Sequence, residues 1–108
     1  MLDVFASRLF IDRVEVMGVP TLQLVGDLDM HTSSALRHRI QDLRVQGHRR
    51  IGLDLGKVDY MDPKGVSTLV AEYEECRRTR RELVIHGTSG PVYETLSLLG
   101  LQHLLKAG

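Results

Sequence analysis

Between Ile51 and Cys76 the hydrophobic pattern changes period, and one tetrapeptide forces the change. Ile51-Gly-Leu-Asp-Leu55 reads as a buried strand, Gly56-Lys-Val-Asp-Tyr-Met61 as a link, and Asp62-Pro63-Lys64-Gly65 opens a segment in which Val66, Leu69, Val70, Tyr73 and Cys76 recur at helical spacing. Aspartate is a preferred N-cap because its carboxylate accepts from the unpaired N–H groups of the first turn. Proline loses nothing at the first helical position, where its missing N–H would have no partner. A chain that stops a buried strand and starts a helix within so few residues is built as α/β, with an exposed turn at the strand end where a surface site is expected.

The rest of the chain alternates in the same way. Leu9 to Met17 and Pro20 to Val25 are expected strands, with Val14 and Val16, then Leu22 and Leu24, alternating against polar neighbours as in a sheet covered on one face. Gly18-Val-Pro20 is expected to turn the chain between them. Thr32 or Ser33 caps a helix to about Gln46, in which Leu36, Ile40 and Leu43 share a face and Gly47 is the stop. The Pro63 helix ends near Arg78, and Leu83-Val-Ile-His86 is a short apolar strand. A last helix from about Pro91 is expected to bury Val92, Leu96 and Leu99 and to stop at Gly100, before Leu101-Gln-His-Leu-Leu105. A hairpin followed by two crossovers gives an α/β fold, a small mixed β-sheet with helices packed on one side. No linker or repeat interrupts the order, so residues 1–108 read as a single domain.

Fourteen basic residues cancel fourteen acidic ones, so no global field draws the chain to nucleic acid or to an anionic membrane surface. The cluster Arg77-Arg78-Thr79-Arg80-Arg81 falls at a helix end, where cations complement the dipole, and lacks interleaved aromatic residues that would stack bases. The one cysteine, Cys76, has no partner for an internal disulfide and lies on the apolar face of its helix, which suits a buried thiol in a reducing compartment. Met1-Leu-Asp-Val-Phe-Ala-Ser-Arg8 carries no basic stretch followed by a long apolar run, and no window approaches the roughly 18 apolar residues of a membrane span. A cytoplasmic chain is expected, without membrane insertion.

Patterns for catalysis are sparse. If Asp27, Asp29, Asp59 and Asp62 converge where loops meet at one sheet edge, they would form an acid pair or a Mg²⁺ site in a small carboxylate enzyme. The better-supported reading is that Asp62 and Asp29 satisfy backbone N–H groups at turns and helix starts. His31, His38, His48, His86 and His103 show neither His-x-x-x-His nor a cysteine at ligand spacing, no serine sits in a nucleophile elbow, and there is no P-loop. No catalytic residue, metal or cofactor is expected.

Four pieces of the chain carry a family resemblance. Leu53-Asp54-Leu55, Val58-Asp-Tyr-Met-Asp62 and Gly65-Val-Ser-Thr-Leu69 resemble the strand, loop and helix start of STAS domains of the bacterial anti-sigma factor antagonist family. Gly26-Asp27-Leu28-Asp29, ending the strand Thr21 to Val25, is similar to that family's Gly-Glu-Leu-Asp turn, with Asp27 in place of Glu. The likeness runs from about Arg13 to about Leu105. It implies the STAS fold and an anti-anti-sigma role, in which the two loops dock onto an anti-sigma factor, a serine kinase of the histidine-kinase-like ATPase fold, and displace a sigma factor. By the resemblance Asp29, Asp62, Pro63, Lys64 and Gly65 line the docking face, with Met30, His31, Ser67 and Thr68 flanking it.

One departure matters for that role. Relatives carry Asp-Ser-Ser/Thr-Gly where this chain has Asp62-Pro63-Lys64-Gly65, and the residue before the glycine is their phosphoacceptor. Lys64 offers no hydroxyl, so the usual switch by roughly two negative charges is closed at this position. It also puts a cation in a first helical turn, which the macrodipole disfavours by up to about 1 kcal/mol. The same fold would also serve as the STAS subunit of a membrane-transporter ATPase or another signalling complex, where no phosphoacceptor is needed, and self-pairing as a homodimer stays open.

Overall fold

A computed structural model describes residues 8–105; the leader reading of the first seven residues lies outside them. The elements are β1 (Leu9–Val16), β2 (Val19–Leu28), α1 (Ser33–Val45), β3 (Arg50–Met61), α2 (Pro63–Arg78), β4 (Glu82–Thr88), α3 (Gly90–Leu98) and a 3₁₀ turn (Gln102–Leu104). One four-stranded sheet has the order β1-β2-β3-β4, antiparallel between β1 and β2 and parallel across the other two pairings. The mixed sheet and the helix between successive parallel strands are those expected from the sequence.

The helices share one hydrophobic core with one face of the sheet. Leu22, Leu24, Ile51, Leu53, Leu83 and Ile85 point into it from the strands; Leu36, Ile40 and Leu43 from α1, Leu69 and Cys76 from α2, and Val92 and Leu96 from α3 close it. The other face carries Phe10, Val25 and Tyr60 exposed. Burial pushes the Cys76 thiol up, away from the thiolate, which fits a packing role.

Four sequence expectations need correcting. The hairpin turn is Met17-Gly18, not Gly18-Val-Pro20: both turn residues have positive φ (50° and 80°), Val16 pairs with Val19, and Pro20 is already in β2 opposite Glu15. A two-residue turn of that kind matches the twist of the strands, and the glycine accepts its conformation without strain. In β1 the core-facing residues are Leu9 and Ile11, while Val14 and Val16 lie on the other face with Thr21 and Val19. Leu99, expected inside, is 56% exposed, because α3 ends at Leu98 and Leu101 takes the next inward position, its N–H bonding Leu96 O.

The fourth correction positions the site. Gly56 to Met61 is not a link but the second half of β3, and β2 runs on beside it to Leu28. Register shifts between Gln23/Val25 and between Gly26/Asp27 mark two places where β3 carries an extra residue. The buried residues Leu53, Leu55, Val58 and Met61 are therefore spaced two, then three and three, and all still face the core. The bulged strands carry Leu28 and Met61 side by side to the same sheet end, so the loops that follow them emerge together.

Candidate functional site

Asp62 joins the two loops. As N-cap of α2 its backbone is extended (φ −94°, ψ 176°), and its Oδ1 accepts from Gly65 N at 2.8 Å. Its Oδ2 accepts from Met30 N at 3.0 Å in the neighbouring loop, and its own N–H donates to Leu28 O at 3.2 Å. Gly65 is buried against that same Leu28 carbonyl.

Asp29 organises the other loop. It is 5% exposed, its Oδ1 accepts from His31 N at 2.9 Å, and its carbonyl accepts from Thr32 N, Ser33 N and the Ser33 hydroxyl. Thr32 stands at the N-cap of α1 without capping it. Its hydroxyl accepts from Asp29 N at 3.0 Å and donates to Asp27 O at 2.8 Å, closing the loop on itself. The reading of Asp29 and Asp62 as turn and cap residues describes their bonds. Asp27 is half-buried and Asp59 exposed, and among the described residues no three His, Cys, Asp or Glu side chains group as a metal site would need.

The remaining residues sort by exposure. Met30, His31, Pro63, Lys64 and Ser67 are exposed, and the Ser67 hydroxyl donates to Lys64 O. Thr68 is buried at 7%. A small cleft of about 120 Å³ lies between the starts of α1 and α2, lined by Met30, Ser33, Ser34, Arg37, Lys64 and Thr68. Sequence reasoning did not single out Ser33, Ser34 and Arg37 for this cleft. The signal was present: Arg37 follows Ser34 by three residues and Ser33 by four, so one helical face presents all three toward whatever adjoins the start of α1.

We expect Asp62→Ala to cost about 2 kcal/mol, since it removes both the cap of α2 and the acceptor for Met30 N–H. Urea denaturation measures it; a loss below about 0.5 kcal/mol would mean that water replaces both bonds at no cost.

Two other features lie away from the loops. A concavity of about 850 Å³ sits on the open face at the hairpin end, among Val16, Val19, Val84, His86, Tyr93 and Leu105. The basic cluster after α2 is tied to its own fold: Arg78 pairs with Glu75 at 2.6 Å and its hydrogen bonds hold that carboxyl below its usual range, Arg77 lies over the Tyr73 ring, and Arg81 donates to His48 O and Arg44 O. No helix of the described residues is long and apolar enough to cross a membrane.

Comparison with known proteins agrees with the geometry. Residues 13–106 match the family model described as Mlab, STAS domain. An anti-sigma-B factor antagonist of Staphylococcus aureus is 30% identical over 80 residues, 74% of each chain. An anti-sigma F factor antagonist of Paenibacillus polymyxa is 27% identical over 85 residues, covering 78% of this chain and 73% of the relative. The fold superposes on an anti-sigma factor antagonist from Mycobacterium paratuberculosis with a TM-score of 0.78 at 20% identity, over 91% of this chain and 83% of that one.

Proposed function

This chain belongs to the STAS family, and on that premise we propose that it is an anti-sigma factor antagonist, a cytoplasmic binding module and not an enzyme, which regulates sigma-factor-dependent transcription by docking onto an anti-sigma factor. The partner expected is a serine kinase of the histidine-kinase-like ATPase fold. The observation that supports this most is the Asp62 tie: the same carboxylate caps α2 and holds Met30 N–H, so both loops form one surface before any partner arrives. A preformed surface loses little conformational freedom on binding.

Asp29, Asp62 and Gly65 build this surface from within, in our reading, while Met30, His31, Pro63, Lys64 and Ser67 meet the partner and Thr68 sits beneath them. Lys64 stands where relatives accept phosphate, so the antagonist is constitutive and releases its partner by some means other than phosphorylation at this position. A fixed positive charge replaces the switch.

Lys64→Glu then reverses the charge at the centre of the contact. We expect binding to weaken at least tenfold, about 1.4 kcal/mol, through like-charge repulsion or an unpaired charge. Arg80→Glu, beyond the far end of α2, should change it little. Calorimetry against the partner recovered by pull-down measures both, and intact-mass analysis after incubation with that partner and ATP should show no added phosphate. Equal affinity of wild type and Lys64→Glu, recovery of a transporter ATPase in place of a kinase-fold protein, or stoichiometric phosphorylation would each overturn the reading.

A further inference from the structure

The cleft between the first turns of α1 and α2 gathers positive charge that the described chain does not neutralise. Lys64 and Arg37 are exposed on its walls, and neither makes an ion pair or a side-chain hydrogen bond with a described residue. Both helices turn the positive end of their dipoles here, and neither has an acidic residue in its first turn. The nearby carboxylates are engaged elsewhere: both oxygens of Asp62 accept backbone N–H groups, and Asp29 is buried and bonds His31 N–H.

Thr68 supplies a separate indication. Its side chain lines the cleft and is more than nine-tenths buried, yet its hydroxyl has no hydrogen-bond partner among the described residues. A helical threonine ordinarily bonds a carbonyl one turn back, as Thr79 does to Glu75 O and as the neighbouring Ser67 does to Lys64 O. The hydroxyl is not among the polar side-chain atoms sealed from solvent without a partner, so it is open to the cleft and free to donate to whatever enters it. A hydroxyl donor flanked by a guanidinium and an ammonium is a donor set for an oxyanion.

We propose that this cleft is an oxyanion socket that takes the carboxylate of a Glu or Asp side chain presented by the docking partner, an assignment that rests on the docking role of the same face. Arg37 offers a planar fork to two carboxylate oxygens, Lys64 a point charge, and Thr68 a third donor at the floor. Met30 forms an apolar wall for the methylene groups behind the carboxylate. The volume of about 120 Å³ admits a side-chain tip but not a nucleotide. A phosphate dianion would bring a second charge against the Asp62 carboxylate, whereas a carboxylate brings one.

Amide chemical shifts of the intact ¹⁵N-labelled chain test this without a partner. The probes are N-acetyl-glutamate amide, its uncharged isostere N-acetyl-glutamine amide, and inorganic phosphate, all at constant ionic strength. We expect saturable shifts at Ser34, Lys64 and Thr68 with the glutamate probe and none with the glutamine probe. Lys64→Gln and the isosteric Thr68→Val, each checked for an unchanged spectrum elsewhere, should weaken the glutamate probe at least about fivefold, the effect of losing one charge-assisted or hydroxyl donor. Absence of saturation, equal response to both probes, or undiminished binding in both variants overturns the socket. Saturation by phosphate with none by the glutamate probe overturns the carboxylate assignment. Because no partner protein is present, failure here is distinct from failure of the antagonist reading, which the pull-down decides.

Discussion

Gly65→Ala should destabilise the fold by about 3 kcal/mol or more, although a glycine inside a helix ordinarily gains about 1 kcal/mol on this substitution. The sign reverses because of what stands beside it. A Cβ on Gly65 would be driven into the Leu28 carbonyl oxygen and would lie 2.9 Å from both the Leu28 carbonyl carbon and Met61 Cγ. The Met61 side chain can move, but the Leu28 backbone cannot: it is hydrogen-bonded to Asp62 N and paired in the sheet with Met61. The start of α2 must retreat, which stretches the Asp62 bonds to Gly65 N and Met30 N together. Chemical denaturation reads the loss, and a Gly65→Ala protein as stable as wild type would show that the two loops are not held in van der Waals contact. Partner binding should fall in parallel, since Lys64 moves with the helix start.

Arg44→Met should cost about 3–5 kcal/mol, the largest effect expected from one substitution outside the loops. Arg44 Nη1 lies 3.3 Å from Glu72 Oε2 between α1 and α2, with the two side chains only 16% and 6% exposed. Glu72 Oε1 already lacks a partner among the described residues, so removing the guanidinium leaves a buried carboxylate with no counter-charge. The pair itself need not stabilise the fold, because desolvating two ions offsets much of their attraction. Arg44→Met combined with Glu72→Leu should therefore recover most of the loss, and thermal denaturation of the four proteins in the cycle measures the coupling. A double variant no more stable than Arg44→Met would place the importance of Arg44 elsewhere, for instance in the hydrogen bond of its side chain with the Cys76 thiol.

The legible parts of this chain were those whose signal is local. Asp62, Pro63, Gly47 and Gly100 act within one turn of their own position, and the helices they bound are found where the sequence puts them. Apolar periodicity located Leu36, Ile40 and Leu43 on the buried face of α1 for the same reason. Non-local effects were not legible. The bulges of β3 break the alternation that identifies a strand, so Gly56 to Met61 read as a link, and only pairing with β2 restores every buried residue to the core face. Val14 and Val16 alternate as well as Leu9 and Ile11 do, and nothing within β1 tells which set faces the helices. At the candidate site Asp29 and Asp62 were readable as turn and cap, whereas the close packing of Gly65 on the Leu28 carbonyl was not. That Asp62 reaches Met30 N–H, 32 residues earlier in the chain, follows only from the lateral register of β2 and β3.

Strand order in the sheet repeats strand order in the chain, and this fixes how the edges close as the polypeptide is made. β1 and β2 join across two residues, β3 is added after one helix and β4 after the next. No strand has to be threaded between two that are already paired. Each pairing closes a short loop, so the entropy of closure is met in small steps and contacts form early between segments near in sequence. A ribosome releasing this chain presents one growing edge at a time, that of the newest strand, and the last of these receives Leu105, which bridges to Ile85 once α3 has been laid down.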